Sequence, residues 1–174
     1  MLRDRLTGPD QRTVRVATPA DLPSIRAIVN QAIEDRIATL DSEPKTLEET
    51  ERWYDDHDER YAILVAAEND DVIGYAALNR YSHRCGYDGV ADLSIYVRRD
   101  KRGAGVGTRL LTELEAAARK CDFHKIVLFA FPTNEAGKRL YIKAGFTEVG
   151  TFREQGKLDG KYVDVIAMEK ILTK

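Results

Sequence analysis

Arg102-Gly103-Ala104-Gly105-Val106-Gly107-Thr108 is the stretch that decides how this chain is read. It lies between a strand-like run ending Ile95-Tyr96-Val97 and a helix-like run beginning at Thr108. Alternating glycines let several backbone N–H groups point into one concavity with no side chain in the way. A helix starting just behind adds the partial positive charge of its N-terminus, and the two together make a cradle for phosphate or pyrophosphate. Spacing excludes two familiar cradles. A Walker loop would end in Gly-Lys-Ser/Thr, which is missing, and a dinucleotide fingerprint would need its third glycine where Thr108 or Leu110 stands. For the glycines alone, a bare turn ahead of a helix remains the other reading.

Outward from the cradle, the elements alternate in type. Val90 to Val97 places Leu93, Ile95 and Val97 on one face and reads as a strand. Thr108 to Lys120 reads as a helix with Leu110, Leu111 and Leu114 inward. Toward the N-terminus, Val14 to Ala17 is a short strand. Thr18-Pro19 then opens a helix as N-cap and first helical residue, and Leu47 to His57 is a second, more polar helix. Tyr61 to Ala67 and Val72 to Leu78 form a hairpin about Asn69-Asp70-Asp71, and Gly86 to Gly89 is a loop. Toward the C-terminus, a strand over Ile126 to Phe131 ends at Pro132. Asn134 to Lys143 is a helix closed by Gly145, and Phe146 to Arg153 pairs with Tyr162 to Glu169. The expectation is an α/β (α+β) mixed, mostly antiparallel sheet with helices on both faces. It forms one domain over residues 14–174, behind a polar, flexible N-terminal extension at 1–13.

Composition narrows the function classes. The chain has 174 residues, 32% of them charged, and a formal net charge of -2, which argues against general nucleic-acid or membrane binding. There is no apolar run of membrane-spanning length and no apolar leader at the N-terminus. Cys85 and Cys121 have neither metal nor redox spacing, so a reducing, cytoplasmic setting is expected. His57, His83 and His124 are scattered, and no metal is expected.

A second motif, Asn134-Glu135-Ala136-Gly137-Lys138-Arg139-Leu140-Tyr141-Ile142-Lys143-Ala144-Gly145-Phe146, follows the cradle. Together the two resemble the GNAT superfamily of N-acetyltransferases: Arg-x-x-Gly-x-Gly after a strand, then Asn…Leu-Tyr-x-Lys-x-Gly-Phe. The resemblance runs from Val14 to Leu172. It implies a GNAT-like acyl-CoA N-acyltransferase fold, with acetyl-CoA held by Ile95, Tyr96, Val97, Arg102, Gly103, Ala104, Gly105, Val106, Gly107, Thr108 and Asn134. It also implies a homodimer and places the Tyr141 hydroxyl near the thioester sulfur. Helix position alone would make Tyr141 a core aromatic; its spacing from Asn134 favours the catalytic reading.

Acetyl transfer to an amine needs a base for the ammonium, donors for the developing oxyanion and a proton for the thiolate. Strand N–H groups near Tyr96 and Val97 can supply the donors, and Tyr141 is the proton donor by resemblance. Asp92, on Ala91-Asp92-Leu93-Ser94-Ile95-Tyr96-Val97, is the candidate base; a solvated edge carboxylate is its bland alternative. The phosphinothricin-type branch of the superfamily carries Glu there, so Asp, one methylene shorter, can reach the amine directly or through a water. Arg80, His83, Arg84 and Tyr87 resemble that branch's loop for the acceptor's anionic groups. Gly156 to Val165 resembles its Gly-x-x-x-Gly-x-Trp-x-Asp-Val segment, with Tyr162 for Trp. Tyr141 stands where that branch has His, and arsinothricin N-acetyltransferases resemble the chain more. The expected acceptor is the α-amine of a small amino acid or toxic analogue of phosphinothricin, arsinothricin or methionine sulfoximine type. The alternatives are a protein N-terminal or lysine acetyltransferase and a non-catalytic coenzyme A-binding protein.

Overall fold

Elements of the predicted types form in the predicted order. The structure, a computed structural model, describes residues 12–172. The chain runs β1 (Arg12–Val16), α1 (Leu22–Asp35), α2 (Leu47–Asp55), β2 (Ile63–Glu68), β3 (Asp71–Arg80), β4 (Val90–Val97), α3 (Val106–Lys120), β5 (Lys125–Ala130), α4 (Glu135–Lys143), β6 (Thr147–Leu158) and β7 (Lys161–Ile171). The strands make one sheet in the order β1-β2-β3-β4-β5-β7-β6. Every neighbouring pair is antiparallel except β4 and β5.

Helical periodicity assigns each helix to one face of this sheet. On one face Leu110, Leu111, Leu114 and Ala118 of α3 pack on Ile73, Ala76, Leu78 and Leu93. On the other, Leu22, Ile25 and Ile28 of α1 pack on Val65, Val72, Tyr75 and Ala77. The mixed sheet with helices on both faces is thus as expected from the pattern. The approach of α3 is close: a Cβ at Gly74 would come within 3.1 Å of both the Tyr96 carbonyl and Val106.

Three boundaries moved, each for a physical reason. Arg12 and Thr13, expected in the extension, already pair with Glu68 and Ala67; residues 1–11 lie outside the described part. Thr18 caps a single 3-10 turn, Pro19–Asp21, and α1 starts only at Leu22. The turn tightens around buried Asp21, which accepts from Arg15 at 2.7 and 2.8 Å and from the Thr18 N–H at 2.8 Å. The Arg15 guanidinium above all holds the Asp21 carboxyl down at about 2. Finally, β6 runs to Leu158, past a bulge between Phe152 and Gly156. Asp159 and Gly160, at φ 48 and 78, make the two-residue hairpin turn into β7.

The feature that positions the site is where the sheet comes apart. Strands β4 and β5 pair only at Val90↔Lys125, Ala91↔Ile126 and Asp92↔Val127. Beyond that, β4 stays with β3 up to Gly74↔Val97, while β5 stays with β7 up to Ala130↔Ile166. The sheet opens between them.

Candidate active site

The phase of the β3–β4 ladder decides what faces this opening. The Arg98 N–H donates to the Ile73 carbonyl at 2.9 Å. Antiparallel pairs alternate, so Tyr96, Ser94 and Asp92 turn their backbone groups to β3, while Leu93, Ile95 and Val97 turn theirs the other way. Beyond the Asp92↔Val127 pair, no strand among the described residues receives those of Ile95 and Val97. A row of backbone donors and acceptors is thereby offered to a linear, amide-bearing ligand, much as a sheet edge is offered to an added strand. The N–H groups of Ile95 and Val97 can meet an oxyanion here. The backbone of Tyr96 is engaged with Tyr75, and its ring belongs to the α1 face.

A cleft of about 200 Å³ fills the opening, lined among others by Thr39, Asp92, Ser94, Phe131, Asn134 and Tyr141. Asp92 and Tyr141, remote in sequence, therefore share one cavity. Burial pushes the Asp92 carboxyl up to about 7, against a smaller lowering by the Leu93 N–H. A carboxyl poised there is suited to take and release protons at neutral pH. Tyr141 is buried, with its ring edge-on to Phe146 at 5.9 Å. Burial, then the proximity of Tyr96 and Asp92, raises its hydroxyl far above the ordinary tyrosine range. It stays protonated and can act as a donor. Asn134 accepts from the Gly137 N–H at 3.0 Å as the cap of α4, which seats its amide on the cleft wall.

Asp92 also lines a second, more open pocket of about 450 Å³, together with Arg80, Tyr81, Ser82, Arg84, Tyr87 and Phe129. Arg80, Arg84 and Tyr87 are thus brought beside the candidate base. The Arg80 guanidinium sits 5.0 Å from the centre of the Tyr61 ring, and Tyr81 stands edge-on to Tyr87. His83 is exposed on the same loop and is not among the residues lining this pocket.

The glycine loop sits beyond the other end of β4. Gly103 and Gly105 have φ of 74 and 81, and a Cβ on either would meet nothing within 4 Å, so the concavity is open. Val106, expected in the loop, is instead the first residue of α3; it is buried in the core and draws the helix start forward by two residues. Gly107 and Thr108 follow in the first turn. Gly107 owes its size to packing, since its Cβ would lie 3.1 Å from Leu140. Arg102 donates to the Val97 carbonyl at 3.1 Å and to Asp35 at 2.5 Å, tying the loop to the end of α1. Arg12 braces the loop from behind through the Ala104 carbonyl at 2.7 Å. An open glycine concavity, a helix start and the unpaired edge of β4 together fit a phosphate-bearing, amide-containing thioester.

Sequence reasoning missed several cleft residues. Ala38, Thr39 and Leu40 come from the loop after α1, and Phe131 and Val165 from the far wall. Of these, Val165 alone sits in a motif, at the end of the Gly156 to Val165 segment, and nothing there marked it as a cleft residue. Only the fold brings them to β4.

A family model for the acetyltransferase (GNAT) domain matches residues 14–167. The chain is 31% identical to a phosphinothricin N-acetyltransferase of Streptomyces coelicolor, covering 96% of this chain and 100% of that one. It is 33% identical to an L-methionine sulfoximine/L-methionine sulfone acetyltransferase of Pseudomonas aeruginosa, covering 90% and 92%. Among solved structures, a ribosomal-protein-alanine N-acetyltransferase from Brucella melitensis superimposes with a TM-score of 0.89 at 34% identity, over 92% of this chain and 99% of that one. A phosphinothricin acetyltransferase from Sinorhizobium meliloti, solved with acetyl-CoA, gives 0.87 at 27% identity, over 93% and 89%. With this extent of similarity, and a sheet that opens beside a glycine loop, the chain belongs to the GNAT family of N-acetyltransferases.

Proposed function

We propose that this protein transfers the acetyl group of acetyl-CoA to the α-amine of a small amino acid that carries a further anionic or tetrahedral group. One observation carries the reading: Asp92 stands on the wall between the cleft in the open sheet and the arginine-bearing pocket. A base at that junction can meet an amine whose anionic substituents lie on the arginine side.

Gly103 to Thr108 and Asn134 would hold acetyl-CoA, which supplies an activated acetyl thioester when bound. Arg80 and Arg84 orient the acceptor through charge-assisted hydrogen bonds. Asp92 takes the ammonium proton, directly or through one water, so that the amine can attack. The N–H groups of Ile95 and Val97 offer hydrogen bonds to the developing oxyanion. Tyr141 holds the proton that the departing sulfur requires. The relatives named for phosphinothricin and methionine sulfoximine support this acceptor class. The Brucella neighbour's name favours a second reading, acetylation of a protein N-terminus.

The two readings differ at Arg84. Replacing it with Met should raise KM for phosphinothricin, arsinothricin or methionine sulfoximine about tenfold or more, since hydrogen bonds to charged groups are lost, while KM for acetyl-CoA stays within about twofold. A peptide that proves the better acceptor, or KM values indifferent to Arg84→Met, would replace this reading with protein acetylation.

A further inference from the structure

A hydrogen-bonded chain of side chains lies behind the cleft, and nothing in the reaction so far uses it. His57, just after α2, has Nδ1 2.7 Å from the Trp53 carbonyl and Nε2 3.2 Å from Oδ1 of Asn79. The Asn79 amide stands with its oxygen toward His57, and its Nδ2 donates to Oγ of Ser94 at 3.0 Å. Ser94 Oγ is used as an acceptor, which leaves its hydroxyl proton to point elsewhere. Among the described residues no side chain or carbonyl is found to accept it.

The place to which that proton can turn is informative. Ser94 follows Asp92 by two residues on the same strand, so the two side chains share a face, about 7 Å apart. Ser94 lines the cleft, and it also lines an adjoining cavity of about 160 Å³ walled by Trp53, Tyr75 and Tyr96 and also by Asp41, Lys45 and Glu49. Along β4 the order is therefore arginine pocket, Asp92, cleft, Ser94, second cavity. An amino acid with its amine at Asp92 and one anionic group at the arginines has its side chain left to run toward Ser94.

We propose that Ser94 is a specificity-determining residue that reads this side chain: its hydroxyl, aimed by His57 through Asn79, donates to an oxygen carried three to five bonds from the α-amine. The inference rests on the acetyl-transfer reading above and narrows it to acceptors with a hydrogen-bond-accepting oxygen on the side chain. His57 and Asn79 are positioning residues in this scheme.

The test compares L-methionine sulfone with L-methionine, which differ by the two sulfone oxygens, as acceptors at saturating acetyl-CoA. The quantity read is the ratio of their KM values. Ser94→Ala should shift the ratio against the sulfone by about tenfold, the worth of one lost hydrogen bond. Ser94→Thr, which keeps the hydroxyl, should restore it. Asn79→Asp can only accept, from His57 and Ser94 alike; it should turn the hydroxyl away and shift the ratio in the same direction as Ser94→Ala. A purely structural role would move both KM values together. Equal changes for the two acceptors in Ser94→Ala, or a ratio untouched by Asn79→Asp, overturn the proposal while leaving acetyl transfer intact. No turnover of either amino acid by a wild-type protein that acetylates phosphinothricin overturns this inference alone; no turnover of phosphinothricin, arsinothricin or methionine sulfoximine either overturns the acetyl-transfer reading and this inference with it.

Discussion

Replacing Asp92 with Asn should abolish turnover and at the same time make the protein more stable above neutral pH. The reasoning starts from burial. Among the described residues the carboxyl has no salt-bridge partner, and burial lifts it from an ordinary 3.8 to about 7. The sign follows from linkage. A carboxyl whose folded value lies above its unfolded value imposes no penalty below about 4, where both states are protonated. The penalty grows between about 4 and 7 and is complete above about 7, where the folded state must carry a buried charge. At pH 8 the ionised form costs about 4 kcal/mol as a ceiling; at pH 5 the same argument leaves about 1.5 kcal/mol. Asn, of nearly the same volume, removes the charge. Urea titrations of wild type and Asp92→Asn at the two pH values measure it. A gain of a few kcal/mol at pH 8 that falls by more than half at pH 5 is expected. A variant no more stable than wild type at pH 8, or a gain independent of pH, would refute the buried-base argument.

Tyr141→Phe keeps the ring against Phe146 and removes only the hydroxyl, so kcat should fall on the order of 100-fold with little change in acetyl-CoA affinity by calorimetry; an unchanged kcat would return Tyr141 to the core. Gly105→Val puts a side chain into the open concavity at a φ of 81, where a β-branched residue is also strained. Acetyl-CoA affinity should drop by about tenfold or more, and equal affinity would move the phosphates elsewhere.

Much of this was legible in the sequence because the decisive signals are local. Alternation over Leu93, Ile95 and Val97 marks a strand, the spacing of Leu110, Leu111 and Leu114 marks a helix, and glycines between them mark a cradle. What the sequence could not show comes from pairing partners remote along the chain. The separation of β4 from β5 depends on β5 following β7, and no residue of β4 announces it. The Arg102 guanidinium engages Asp35, an α1 residue with no motif of its own. Arg12 looked like part of a polar tail, yet it holds Glu68 and the Ala104 carbonyl. Asp159-Gly160 was a readable hairpin turn, obscured because the strand before it carries a bulge and few apolar residues.

The most direct measurement is turnover itself: wild-type protein with acetyl-CoA, following thiol release and identifying the product by mass spectrometry. The acceptors would be phosphinothricin, arsinothricin, methionine sulfoximine, neutral amino acids and a peptide with a free N-terminus. The account predicts a single acetyl group on the α-amine of one or more of the anionic or tetrahedral amino acids, at a kcat/KM above that of the peptide. Preference for the peptide, or thiol release with none of them, would contradict it.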